Sequence, residues 1–444
     1  MTIIVNTWHA FLLLAESPGG RGFLSFIYKF FPVVIFIELP IYLFLWLGIL
    51  RYYLKEISRR ESPTLFSPTV SCIVACYSEG KEIQQAIISL VEQIYPGPIE
   101  ILAMIDGAHR NSETYKAAMA LRAKAKKRPN RILRVIPKWQ RGGRVSSLNA
   151  GLTLAKGSIV MALDGDTSFD NTMVRNAVSH FADPNVVAVS GNLRVRNFRK
   201  SLVTRLQAIE YMLSIHAARI GLSEFNVVNN ISGAFGVFRK SILHKVGGWD
   251  SGTAEDLDMT MKIKSCFGTH PELKIIFEPS AIGHTDVPEK LAELLGQRLR
   301  WDGDLFYLYV RKRWLNFNRK VIGIRNLVIS VWTGLFFQLV MPMVIISSTI
   351  VMFSIYPLYL FLAVWLLVYL VYFAITTGLF LTYLFLVSER KIQDLKLGVY
   401  LPFFPGFMFI LRIWNGLAVL KEISLKSHLD SSMAPRWVLK RTKF

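Results

Sequence analysis

The sequence predicts a parallel α/β domain joined to α-helical membrane spans, and three observations predict it. Short, continuously apolar runs alternate with helical stretches between residues 62 and 318. Long apolar segments edged by basic residues lie on both sides of that region. Two of the short runs end on acids, Asp106 and Asp164. A chain of 444 residues has room for one substantial soluble domain and several spans. Its hydrophobic fraction of 52% and mean hydropathy of +0.36 exceed what soluble enzymes usually carry.

In chain order, the opening cluster "HAFLLLA" is too short to span and has no basic leader, so no cleavable signal is expected. A first span covers residues 31–53, followed at once by Arg51, Lys55, Arg59 and Arg60. Two more cover residues 327–353 and 358–387, each beyond the ~20 residues a bilayer requires. Residues 397–420 carry Pro402, Pro405, Gly406, Arg412 and Asn415, which leaves a crossing and a re-entrant helix both open. Basic residues after Arg51, in "SERK" and in "RWVLKRTKF" place those segments and the soluble region on the cytoplasmic side. Expected boundaries are an anchor at 1–61, a catalytic domain at 62–318, membrane or interfacial helices at 319–420 and a basic tail at 421–444.

Lys+Arg 52 against Asp+Glu 31 gives a formal charge of +21. The long apolar runs exclude a nucleic-acid role, leaving anionic lipid headgroups and an anionic substrate as partners. Cys72, Cys76 and Cys266 lack metal-site spacing and cannot all pair, as in a reduced compartment.

Within the soluble region "TVSCIVACY", "IEILAMID", "RILRVIP" and "SIVMALDGD" read as strands buried on both faces, hence a parallel sheet. Ligands of such sheets sit beyond the carboxyl ends of the strands, so Asp106 and Asp164 point at one crevice. Asp164-Gly165-Asp166 suits a hard divalent cation shared with a diphosphate, although acidic turns after strands are also common. "GGRVSSLNAGL" is either a glycine turn entering a helix or a loop bringing Arg144 to a phosphate. Glu255, Asp256 and Asp258 begin a helical pattern, either as dipole partners or with one carboxylate as general base. "NNISGAFGVFRKS", with Gly233 and Phe235, reads as a loop, serving an acceptor or merely preceding a helix. At the membrane border, "QRLRW" combines guanidinium forks with an indole face.

Asp106, then Asp164-x-Asp166, then Glu255-Asp256, then Gln297-Arg298-Leu299-Arg300-Trp301, followed by spans, resemble the membrane-embedded polysaccharide synthases of glycosyltransferase family 2. That group includes cellulose, chitin, hyaluronan and poly-N-acetylglucosamine synthases. The resemblance implies a GT-A-like, mostly parallel catalytic domain in the cytoplasm of a multi-pass plasma-membrane protein. It implies a UDP-sugar donor, a growing polysaccharide acceptor and Mg²⁺ or Mn²⁺, with an accessory export or regulatory subunit left open. Tyr77 and Glu79 would contact the nucleotide, Asp106 and Asp164 would hold the uridine diphosphate, and Asp166 would bind metal. Arg144, where a lysine is usual, and Arg300 would meet phosphate. Asp256, beside Glu255, would be the base. Gly233, Phe235, Gln297 and Trp301 would hold the acceptor. The motif "TED" reads Ala254-Glu255-Asp256 here, with Thr253 displaced by one. The implied activity is inverting, processive synthesis of a β-linked exopolysaccharide, of the biofilm kind, from UDP-GlcNAc or UDP-Glc. Transfer of one sugar to a lipid or polyprenyl phosphate is the alternative, and a nucleotide-sensing transporter a more distant one.

Overall fold

Seven successive residues with no exposed side chain, Val70–Cys76, form β1 at the centre of an eight-stranded sheet. The computed structural model describes residues 2–16, 34–58, 66–250 and 254–426. The start of the expected first span, Arg59, Arg60, Thr253 and the basic tail beyond 426 lie outside the described residues.

β2 (Ile99–Asp106) and β4 (Ile159–Asp164) flank β1 in parallel, and β3 (Arg131–Lys138) lies parallel outside β2. These are the four strands read from continuous apolar runs. Beyond β4 the sheet turns mixed. β7 (Phe235–Arg239) runs antiparallel to β4 and to β6 (Val186–Val195). β8 (Lys274–Thr285) is parallel to β6, and the short β5 (Ser168–Phe169) closes the edge antiparallel to β8. The order is β3-β2-β1-β4-β7-β6-β8-β5. The "GAFGVFR" stretch, expected as a loop, therefore enters the sheet as a strand.

The helices, in chain order, begin with α1 (Thr2–Glu16) and α2 (Leu39–Ser58). α3 (Ile83–Val91) and α4 (Ser112–Met119) cover one face of the sheet, where Ile83, Ile87 and Ala118 join Val74, Ile101 and Ile105. α5 (Gly143–Leu154) covers the other with Val145, Leu148 and Leu152 against Ile73, Leu102 and Met104. Because β1, β2 and β4 are parallel neighbours, their carboxyl ends open on one side.

α6 (Leu202–Glu210) continues through a π-helical stretch, Tyr211–Ala217, into α7 (Ala218–Glu224). α2 crosses α7 backbone to backbone: a Cβ on Gly48 would stand 2.4 Å from the Gly221 carbonyl oxygen. Lys55 and Arg51 at the end of α2 then pair with Glu224 at 2.5 and 3.4 Å. α8 (Glu255–Lys264) and α9 (Leu291–Phe306) follow; α10 (Met341–Ile355), α11 (Leu358–Leu386) and α12 (Phe404–Leu425) complete the chain.

Among the described residues, four helical segments are long and apolar enough to cross a membrane: Phe36–Ser58, Ile324–Ile355, Leu358–Leu386 and Lys391–Leu425. The last contains the stretch left open by the sequence. Its prolines do not break it, because Pro402 lies in a 3₁₀ turn and Pro405 in the first turn of α12, where a missing N–H costs nothing. α1 packs along α11. Glu38, at the head of the first of these segments, is buried and accepts a hydrogen bond from the Tyr372 hydroxyl.

Candidate active site

Asp106 ends β2 and was expected to face a nucleotide; the structure uses its carboxylate differently. It is 3% exposed and takes Lys138 Nζ at 2.8 Å and the amides of Gly142 and Gly143 at 2.9 and 2.8 Å. Gly143 has φ +80°, open to glycine, and the turn delivers the next residue, Arg144, over the strand ends. Gly107 follows Asp106 at φ +62° and lets the Arg141 backbone lie against it.

Arg144 is the meeting point of three distant motifs. Its guanidinium pairs with Asp164 at the end of β4, donates to Glu255 at 2.6 Å and donates to the Gly233 carbonyl. One arginine so joins the D-x-D turn, the acids opening α8 and the glycine loop before β7. Burial raises the Glu255 carboxyl pKa, Arg144 opposes that, and the neighbouring Asp256 adds to it.

Asp256 lies beside this hub. Its carboxylate accepts from the Asn230 amide at 3.0 Å and from the backbone amides of Gly233 at 3.2 Å and Leu257 at 2.7 Å. Arg219 and Tyr309 are in electrostatic reach of it; burial brings the Arg219 guanidinium down to about 10, with Asp256 pulling the other way.

Asp166 is exposed at the mouth, touched by the Thr167 hydroxyl at 3.2 Å. Gly165 allows the turn to sit against Glu79, whose carboxyl carbon would be 3.2 Å from an added Cβ. Glu79 Oε1 accepts from the Tyr77 amide at 2.7 Å, while the buried Oε2 has no partner. Burial raises its pKa, and Asp166 adds to that. Among the described residues no three His, Cys, Asp or Glu side chains could hold a metal unaided. The donor set fits a cation that takes one or two carboxylates and draws its other oxygens from a bound diphosphate. Tyr77 is 43% exposed with the Arg141 guanidinium 4.1 Å above its ring.

Gln297, Arg300 and Trp301 lie on α9 at the border. Trp301 is 44% exposed and Arg298 stacks over it at 5.0 Å while donating to Glu210 at 2.8 Å. Arg298 is thus occupied within the protein, and half-buried Arg300 is the arginine of this element left without an acid partner among the described residues. Tyr211 connects the two halves, lying in electrostatic reach of Arg298 and of Asp166.

Phe235 does not serve as predicted. Its ring is fully buried, edge-on to Phe169 at 5.3 Å and filling the space beside Gly191, because β7 turns it into the core. The sequence reading also missed Tyr211, Arg219, Asn230 and Glu210. "AIEYMLSIHAARI" places an acid and an arginine within an otherwise apolar helix, and that is the signal that could have drawn notice.

Residues 159–376 match the model of Glycosyl transferase family group 2. A poly-beta-1,6-N-acetyl-D-glucosamine synthase of Staphylococcus epidermidis is 30% identical over 257 residues, 57% of this chain and 59% of that protein. Its namesake from Staphylococcus aureus (strain COL) is 30% identical over 234 residues, 52% of this chain and 53% of the relative. The matches therefore span less than two thirds of the length of these curated relatives. Mannosyltransferase PcManGT from Pyrobaculum calidifontis, solved in complex with GDP-Man and Mn2+, superposes with a TM-score of 0.50 at 19% identity, covering 87% of this chain and 98% of that one. A mixed sheet with acids at its strand ends, carried next to apolar helices, agrees with these matches: residues 159–376 are similar to the glycosyltransferase family 2 domain.

Proposed function

We propose that the protein is a membrane-bound glycosyltransferase that polymerises a β-linked polysaccharide from a UDP-sugar and passes it toward the spans. The observation that carries this is Arg144, which draws Asp164, Glu255 and Gly233 into one cluster with Asp256 alongside. The names of the relatives support UDP-N-acetylglucosamine as donor and a β-1,6-linked product.

Arg144 and Arg300 meet the donor diphosphate, and Tyr77 offers its face to the base. Asp106 acts at one remove by holding the Gly142-Gly143 turn that presents Arg144. Asp166, in electrostatic reach of Glu79, would hold Mg²⁺ or Mn²⁺. When bound, that cation neutralises charge on the leaving group. Trp301 and Gln297 hold the acceptor sugar. Asp256 takes the proton of the acceptor hydroxyl as its oxygen bonds to the anomeric carbon and the carbon–oxygen bond to the diphosphate breaks. One displacement inverts the centre, from α-linked donor to β-linked product. The plasma membrane, with the sheet on the cytoplasmic side, is the proposed location.

Purified protein offered several UDP-sugars with Mg²⁺ or Mn²⁺ should release UDP with one of them and yield polymer. A product bearing a single added sugar on lipid would favour the non-processive alternative, and no UDP release from any donor would end the reading.

A further inference from the structure

We infer that Arg313 is a positioning residue that fastens the segment carrying Glu255 and Asp256 to the border helix bearing Gln297 and Trp301. This rests on the reading of Asp256 as the base. α9 runs on through a π-helical stretch, Tyr307–Lys312, and Arg313 terminates it. The guanidinium of Arg313 reaches two acids at once: Asp250 at 2.8 Å and Asp258 at 2.6 and 3.2 Å. Those acids bracket the reacting pair. Asp250 precedes it, and Asp258 lies on α8 two residues beyond Asp256.

The bracket is reinforced from both sides. Lys312 donates to Asp258 at 2.9 Å, and Lys262 donates to Asp250 at 2.9 Å. Asp258 is 2% exposed, and burial alone would raise its pKa; Arg313 and Lys312 together hold it below the ordinary value. Beneath the charges, Leu257 and Met261 of α8 pack against Leu308 and Tyr309 of the π-helical stretch. Two acids, three cations and an apolar seam therefore bind the end of the border helix to the start of α8. The fork of Arg313 hydrogen-bonds both carboxylates at once, whereas the point charge of Lys312 bonds Asp258 at 2.9 Å and stands 3.9 Å from Asp250.

The reaction demands such a joint. The acceptor sugar rests on one element and its proton leaves to another, and misplacing reacting groups by about 1 Å can cost on the order of 100-fold in rate. With Arg313 in place, the acceptor platform and the base form one unit. The sequence conceals the link because Arg313 stands 63 residues from Asp250.

Arg313→Gln, Arg313→Lys, Asp258→Asn and the Arg313→Gln/Asp258→Asn double variant test this in the full chain in detergent or vesicles. Expected for Arg313→Gln is a fall in kcat on the order of 10- to 100-fold with donor KM unchanged. Arg313→Lys, which keeps the charge, should fall between it and the wild type, and the double variant should lose no more than the worse single one. Hydrogen–deuterium exchange over residues 247–258 should rise in Arg313→Gln and Arg313→Lys while β1 and β2 keep their protection. Lys274→Gln, which breaks a pair with Asp183 on the far edge, serves as control and should match wild type in all respects. Unchanged exchange over 247–258, or a loss confined to donor KM, overturns the inference. Exchange is read without turnover, so wild-type protein that releases no UDP overturns the functional reading and leaves the exchange result to judge Arg313.

Discussion

Asp256 and Glu255 are adjacent in sequence yet differ in surroundings. Glu255 is committed to Arg144, whereas Asp256 accepts from two backbone amides and from Asn230. Those three donors fix where the Asp256 carboxyl points. Asp256→Asn keeps the shape and removes the basicity, so kcat should fall on the order of 100- to 10,000-fold while donor affinity holds. UDP release and a donor titration measure both halves of that statement. Asp106 teaches the opposite lesson: an acid at a strand end, expected to hold a nucleotide, gives its carboxylate to a neighbouring turn. Nothing in "MIDGA" distinguishes the two uses, since the deciding partners, Gly142 and Gly143, lie 36 and 37 residues away. The D-x-D acids drew notice because two carboxylates around a glycine make a local pattern, whereas Tyr77 and Glu79 were named only through the resemblance to a family.

At the scale of elements, β1, β2 and β4 were readable because parallel strands buried on both faces are apolar without interruption, whereas β3 lies at the edge with Ile132 exposed and showed only a weaker apolar run. β7 is five residues long with Gly236 inside it, and β8 carries Pro279 where its pairing with β6 slips register, so neither presents a clean pattern. The border helix was recognised, but the assignment of its arginines needed the fold, since the partner of Arg298, Glu210, is 88 residues away. That helix also contains Asp302, raised by burial to about 7 and in contact with Asn415 of α12. A carboxyl whose pKa is higher folded than unfolded contributes stability that is full below about 3.8, its ordinary value, and lost as pH climbs through about 7. Thermal stability should therefore fall between about pH 4 and pH 7 in the wild type and level off above that, and Asp302→Asn should flatten that slope. A second test concerns the crossing of α2 and α7. Gly221→Ala would set a methyl 2.8 Å from the Leu45 carbonyl oxygen, which forces the helices apart and should cost about 1–3 kcal/mol, seen as a lower Tm.

For the molecule as a whole, the apolar runs already set the chain apart from an ordinary soluble enzyme, and the charge of +21 points to an anionic partner, lipid headgroup or substrate. Among the described residues no three acids gather into a cage, so the proposed metal would draw its remaining oxygens from the substrate. Chelation with EDTA should accordingly abolish UDP release while leaving Tm unchanged, and added Mn²⁺ or Mg²⁺ should restore turnover. A drop in Tm on chelation would instead mean a structural ion.

The glycine contact between α2 and α7 has a consequence for height above the bilayer. A helix advances 1.5 Å and turns 100° with each residue. One residue inserted between Glu38 and Gly48 would either lift the Arg219 helix away from the lipid by that step or swing a side chain into the crossing. With the first apolar helix seated in a bilayer, the elevation of the site would be set by counting residues along that helix, as a ruler sets a mark.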